Sequence, residues 1–104
     1  TNLGEGDWSF LEDLDFAGER IDVERLLEEG IEEGSRAVDI YSMTCALANK
    51  FPVNTEAGKL AVETMMIRFN AEKVRPPLEL EGQGGLLMHV RRAIQFVIDN
   101  PKGN

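Results

Sequence analysis

Glu28, Glu29, Glu32 and Glu33 are the residues of this chain whose type and spacing come closest to chemistry. On a helix Glu28 and Glu32, like Glu29 and Glu33, stand one turn apart, and carboxylates so placed can jointly hold a hard divalent cation such as Mg²⁺. The same spacing also describes a solvated helix face, on which Arg25 meets Glu29 and Glu32 meets Arg36 four residues apart. His89 is the single histidine, so a two-histidine metal site and a paired histidine relay are both out of reach. Cys45 falls in an apolar helical stripe, where a thiol acts as a small hydrophobe with a raised pKa rather than as a nucleophile. Gly82-Gln83-Gly84-Gly85 opens a helix whose first N–H groups could face a phosphate. It lacks the preceding strand and the lysine of a nucleotide loop, and reads as a connector.

Over the six residues Glu28 to Glu33 the sequence resembles the first half of the metal-binding pattern of the MazG-type all-helical nucleoside-triphosphate pyrophosphohydrolases, in which two adjacent acids are followed after two residues by another. The resemblance implies Mg²⁺ held by Glu28, Glu29, Glu32 and Glu33, and a second acid pair, three residues apart, on a following helix. Beyond Glu33 no two acids have that separation; Glu12 and Asp15 do, but they precede the cluster.

Two other groups of residues suit recognition rather than catalysis. Asp7 to Phe16 interleaves acids with bulky apolar residues, and Trp8, Phe10, Leu11 and Leu14 would be the anchors of a short helix entering a partner's groove. The competing reading docks this segment on the chain's own bundle. Met88, Arg92 and Phe96 stand off the apolar stripe of the last helical stretch and form a second candidate patch.

The elements that must carry these residues are helical. From Asp22 to Phe51 the residues Leu27, Ile31, Gly34, Val38, Tyr41, Cys45 and Ala48 recur at alternating spacings of four and three, with Asp22 as N-cap and Pro52 as stop. A second helix spans about Thr55 to Lys73, with so much of its circumference apolar that it is expected at the centre, leaving Glu56, Lys59, Glu63 and Asn70 for water. A third runs from Gly85 to Asn100 before Pro101, and the Leu78-Glu79-Leu80 stretch between them reads as extended loop. Unbroken, the first helix would be about 44 Å long against roughly 28 and 23 Å for the others. The excess requires cover from the amino-terminal segment, a break at Gly30 or Gly34, or a second copy of the chain; a homodimer is the favoured remedy.

Length and charge bound the rest. The 104 residues suffice for one bundle domain over 22–104, preceded by an acidic aromatic segment over 1–21. No apolar run approaches the roughly 20 residues needed to cross a bilayer. A lone cysteine and the lack of a signal-peptide pattern point to the cytoplasm. The net charge of −8 is concentrated in residues 1–33, where twelve acids face two bases. Such a front repels nucleic-acid phosphates and anionic lipid and attracts a basic protein partner. The sequence thus predicts an all-α bundle of three main helices plus a short amino-terminal one, needing no cofactor. It would act as a non-catalytic adaptor, regulator or inhibitor in protein–protein interaction. The alternatives are the Mg²⁺-dependent pyrophosphohydrolase and an acidic mimic of nucleic acid that occupies the site of a nucleic-acid-binding protein.

Overall fold

Asp22 begins the first helix as its side chain implies, accepting a hydrogen bond from the Arg25 amide at 3.1 Å. In a computed structural model of the chain, the described residues are 21–100 together with Trp8, Leu11, Leu14, Phe16 and Glu19. Helix α1 covers only Val23–Glu29. Gly30 ends it with φ +80°, its N–H bonded to the Leu26 carbonyl, and the chain then runs extended as β1, Ile31–Glu32. After a turn that uses a second positive φ at Gly34, helix α2 starts afresh at Arg36 and runs to Ala48. The single long helix expected from Asp22 to Phe51 is therefore two helices with a strand between them.

The break has a packing cause. β1 pairs in parallel with β2, Val74–Arg75, placing Ile31 beside Val74 and Glu32 beside Arg75. A side chain on Gly30 would collide with the Lys73 carbonyl and the Arg75 guanidinium, so only glycine lets the strands meet. Arg75 clasps the junction, donating to the Glu29 carbonyl at 2.6 Å and to the Glu32 carboxylate at 3.1 Å. No strand is expected from the sequence here, since two residues cannot display an alternation.

Helix α3, Glu56–Lys73, is capped by Thr55, whose hydroxyl accepts from the Gly58 amide. Helix α4, Leu86–Asp99, follows the loop that leaves β2. That loop carries no helix or strand and is held by Asn70. The Asn70 amide group donates to the Leu78 carbonyl and its oxygen accepts from the Leu78 N–H, both at 2.9 Å. Asn70 is thus buried rather than left to water, and the paired amide satisfies the polar group that burial strands.

Helices and strands all contribute to one core, whose largest fully buried side chains include Leu26, Ile31, Ile40, Met43, Met66 and Phe69. The architecture is an all-α bundle with one short parallel strand pair. Among the described residues its four helices include the two made by the split and none over Asp7 to Phe16. Most of that segment lies outside the described residues; Leu11 and Leu14 donate to the carbonyls three residues earlier, as in tight turns.

Splitting the long helix also resets its phase. Helix α2 buries Ile40, Met43, Thr44 and Leu47, a stripe at helical spacing, and turns Val38 out to 69% exposure, while Tyr41 and Cys45 are partly buried. The expected stripe through Val38, Tyr41 and Cys45 is therefore not the core face. Helix α3 buries Val62, Met66 and Phe69 but leaves Leu60 exposed, so it is not enclosed on all sides. Among the described residues no helix is long and apolar enough to cross a membrane.

Candidate functional site

The four glutamates do not share a helix. Glu28 and Glu29 close α1, Glu32 lies in β1 and Glu33 in the following turn, so the break at Gly30 removes the one-turn spacing on which joint metal binding depended. Part of their charge is already matched: Glu29 pairs with Arg25 and Glu32 with Arg75. Among the described residues no three acidic, histidine or cysteine side chains are grouped so as to hold a metal ion.

The glycine-rich loop is not an open anion cradle either. Two of the first N–H groups of α4 are taken by the loop itself, Leu86 donating to the Glu79 carbonyl at 2.7 Å and Leu87 to the Leu80 carbonyl at 3.0 Å. The Gly84 N–H points at the Met88 sulfur. A helix start whose donors face its own connector has less to offer a phosphate. Cys45 is partly buried and its Sγ lies 4.0 Å from the Ala93 carbonyl. Burial foremost, and then the negative charge of Glu19, push its thiol above the usual range, which suits a packed thiol better than a nucleophile. An open cleft of about 410 Å³ between the α2–α3 turn and the end of α4 is lined by Phe51, Pro52, Val53, Val97 and Ile98, with Ala48, Asn49 and Asn54. None of these side chains ionises, so among the described residues the cleft holds no acid or base.

The two recognition patches fare differently. Trp8 and Leu11 are buried, at 6% and 2% exposure, in the chain's own core. The indole N–H of Trp8 donates to Glu72, its ring meets Phe69 edge-on at 6.1 Å, and the Arg68 guanidinium lies 4.3 Å above it. Glu72 in turn binds Arg68. Leu14 packs against the same core, partly buried. In this fold Trp8, Leu11 and Leu14 are spent on the bundle and are not surface anchors, because α3 supplies a ring, a cation and an acceptor for the indole. Phe10 lies outside the described residues.

Phe96, by contrast, is 51% exposed, and Arg92 one turn before it is exposed too. Met88 lies a further turn back, partly buried, its sulfur facing the Gly84 N–H. The Phe96 ring leans on Tyr41 of α2 with 6.5 Å between centroids, and Val38 stands one turn before Tyr41. Tyr41 and Phe96 thus meet across the α2–α4 seam, with Val38 one turn away along α2 and Arg92 one turn away along α4. Burial foremost, then the Cys45 charge, hold the Tyr41 phenol above its usual value, while the positive charge of Arg92 acts the other way. Among the described residues Arg92 is the arginine without a hydrogen-bond or ion-pair partner; Arg25, Arg68, Arg75 and Arg91 each meet a carboxylate, and Arg36 donates to the Pro76 carbonyl.

Val38 and Tyr41 are the members of this face that the sequence reading assigned elsewhere. The signal that finds them is the pair Gly30 and Gly34: a helix restarting after them reads Ile40, Met43, Thr44 and Leu47 as its inner stripe and Val38 as outer. Searches against known protein families, curated proteins and solved structures return no match for this chain.

Proposed function

We propose that this chain is a non-catalytic protein-interaction module whose contact face is the α2–α4 seam formed by Val38, Tyr41, Arg92 and Phe96. The observation that carries it is that, of the four exposed large apolar residues among the described ones, Val38 and Phe96 flank one partly buried tyrosine, Val38 along α2 and Phe96 across the seam, while Leu60 and Leu80 have no recorded aromatic neighbour. Interface centres favour aromatic residues and arginine, and a preformed helix pair presents them without a backbone ordering cost. Met88 extends the face along α4. The exposed Glu24, Glu28 and Glu33 of the acidic front add long-range attraction to basic surfaces.

The test compares proteins captured by the wild-type chain with those captured by a Val38→Asp, Phe96→Ala variant of unchanged melting temperature. Specific loss of a captured protein supports the reading, and identical capture rejects it. A second reading, that the acidic front imitates nucleic acid, draws on the same three glutamates, none of which has a cation partner among the described residues. Strongly salt-sensitive binding to a nucleic-acid-binding protein, competed by DNA and indifferent to changes at Val38 and Phe96, would favour it instead.

A further inference from the structure

The docking face is uneven in charge, and that unevenness restricts what can sit on it. In a chain with 19 acids and 11 lysines and arginines, a guanidinium should find a carboxylate easily. Five of the described arginines have an acceptor; Arg92 has none. The acids of the two helices bond elsewhere, Asp39 accepting from the Ser35 hydroxyl and Asp99 from the Gln95 amide. A planar guanidinium beside aromatic rings is well suited to receive a carboxylate in a forked pair that apolar cover then shields from water.

We infer that the α2–α4 face receives an amphipathic helix of another protein, which lays apolar side chains over Val38, Tyr41 and Phe96 and brings an aspartate or glutamate to Arg92. This rests on the interaction reading above and deepens it by naming the chemistry of the partner. A second copy of this chain fits less well, since a two-fold contact centred on Tyr41 and Phe96 sets two unpaired guanidiniums in one interface. The overall negative charge limits the partner's acidity. At physiological salt the repulsion is screened beyond about 8 Å, so one or two well-placed carboxylates are tolerated where a long acidic run is not.

The test is selection from a displayed library of amphipathic helical peptides on the wild-type chain. Affinities of the winners are then measured for wild type, Arg92→Glu and Val38→Asp, each checked for an unchanged thermal melt. Enriched peptides should carry an acid at a fixed distance from their apolar anchors. They should lose at least about tenfold in affinity on Arg92→Glu, and regain it when that acid is changed to lysine. Peptides that depend on Val38 but are basic, or ignore Arg92→Glu, overturn the charge assignment and leave the docking face standing. Peptides indifferent to Val38→Asp, or no enrichment at all, overturn both. Sedimentation of the chain alone gives a further check, because a dimer abolished by Val38→Asp assigns the face to a second copy and overturns the inference.

Discussion

Trp8 and Phe96 are both aromatic residues outside the main helical stripes, and the molecule treats them in opposite ways. Trp8 reaches the core, with its N–H, its ring face and its ring edge each matched by a side chain of α3. Phe96 is held by its own helix where, among the described residues, its aromatic neighbour is Tyr41, and half of it stays in water. Local sequence does not separate the two, for Trp8 has an acid four residues on at Glu12 and Phe96 a base four residues back at Arg92. What separates them is supply: Arg68, Phe69 and Glu72 fall on one face of α3 where the indole lands, while among the described residues Phe96 meets the Tyr41 ring and stays 51% exposed. An aromatic that finds its partners at home adds stability; one that does not is available for recognition.

The contrast can be broken most directly at Trp8. Trp8→Ala should cost about 3–5 kcal/mol in denaturant-induced unfolding, the range for emptying a buried aromatic site. A loss below about 1 kcal/mol would mean that the segment is only loosely laid on the bundle. Trp8→Phe keeps a ring but removes the N–H that meets Glu72, so about 1 kcal/mol of the loss should remain, measured the same way. Phe96→Ala should shift the unfolding midpoint by about 0.5 kcal/mol or less while weakening partner binding far more, and a stability cost comparable to that of Trp8→Ala would erase the distinction. The smallest effect is one of pH. Tyr41 and Cys45 keep their protons to higher pH in the fold than in the unfolded chain, which therefore loses protons first as the solution becomes alkaline. Their contribution is intact below the ordinary thiol range and declines as pH rises above about 9. Urea unfolding at rising pH should show this decline reduced in a Tyr41→Phe, Cys45→Ala variant.

The start of α1 and the limits of α3 and α4 were legible because they rest on local chemistry, whereas the break between α1 and α2 was not. Asp22 and Thr55 cap as their side chains suggest, and α3 and α4 end close to where their prolines and polar residues place the stop. The rotation of α2 was not, since a stripe drawn through Gly34 assumes an unbroken helix and carries Val38 inward, whereas the φ of Gly30 answers to a strand more than forty residues away. Asn70 shows the same limit: polar on a helix face, it looks solvated until the loop carrying Leu78 folds back over it. Of the candidate face, Arg92 and Phe96 could be read from their angle on α4. Their meeting with Val38 and Tyr41 depends on how two helices cross, which no local pattern encodes.

The clasp at Arg75 bears on the order in which the molecule assembles. Its bonds to Glu32 and Glu29 join positions 43 and 46 residues apart, across both α2 and α3. Helical turns form from neighbours, but this closure must wait until two helices and the bend between them have brought the ends together. Glu32→Ala should therefore hasten unfolding and leave the refolding limb of a stopped-flow chevron nearly unchanged. A ribbon that closes last would act on how long the folded state survives rather than on how fast it is reached.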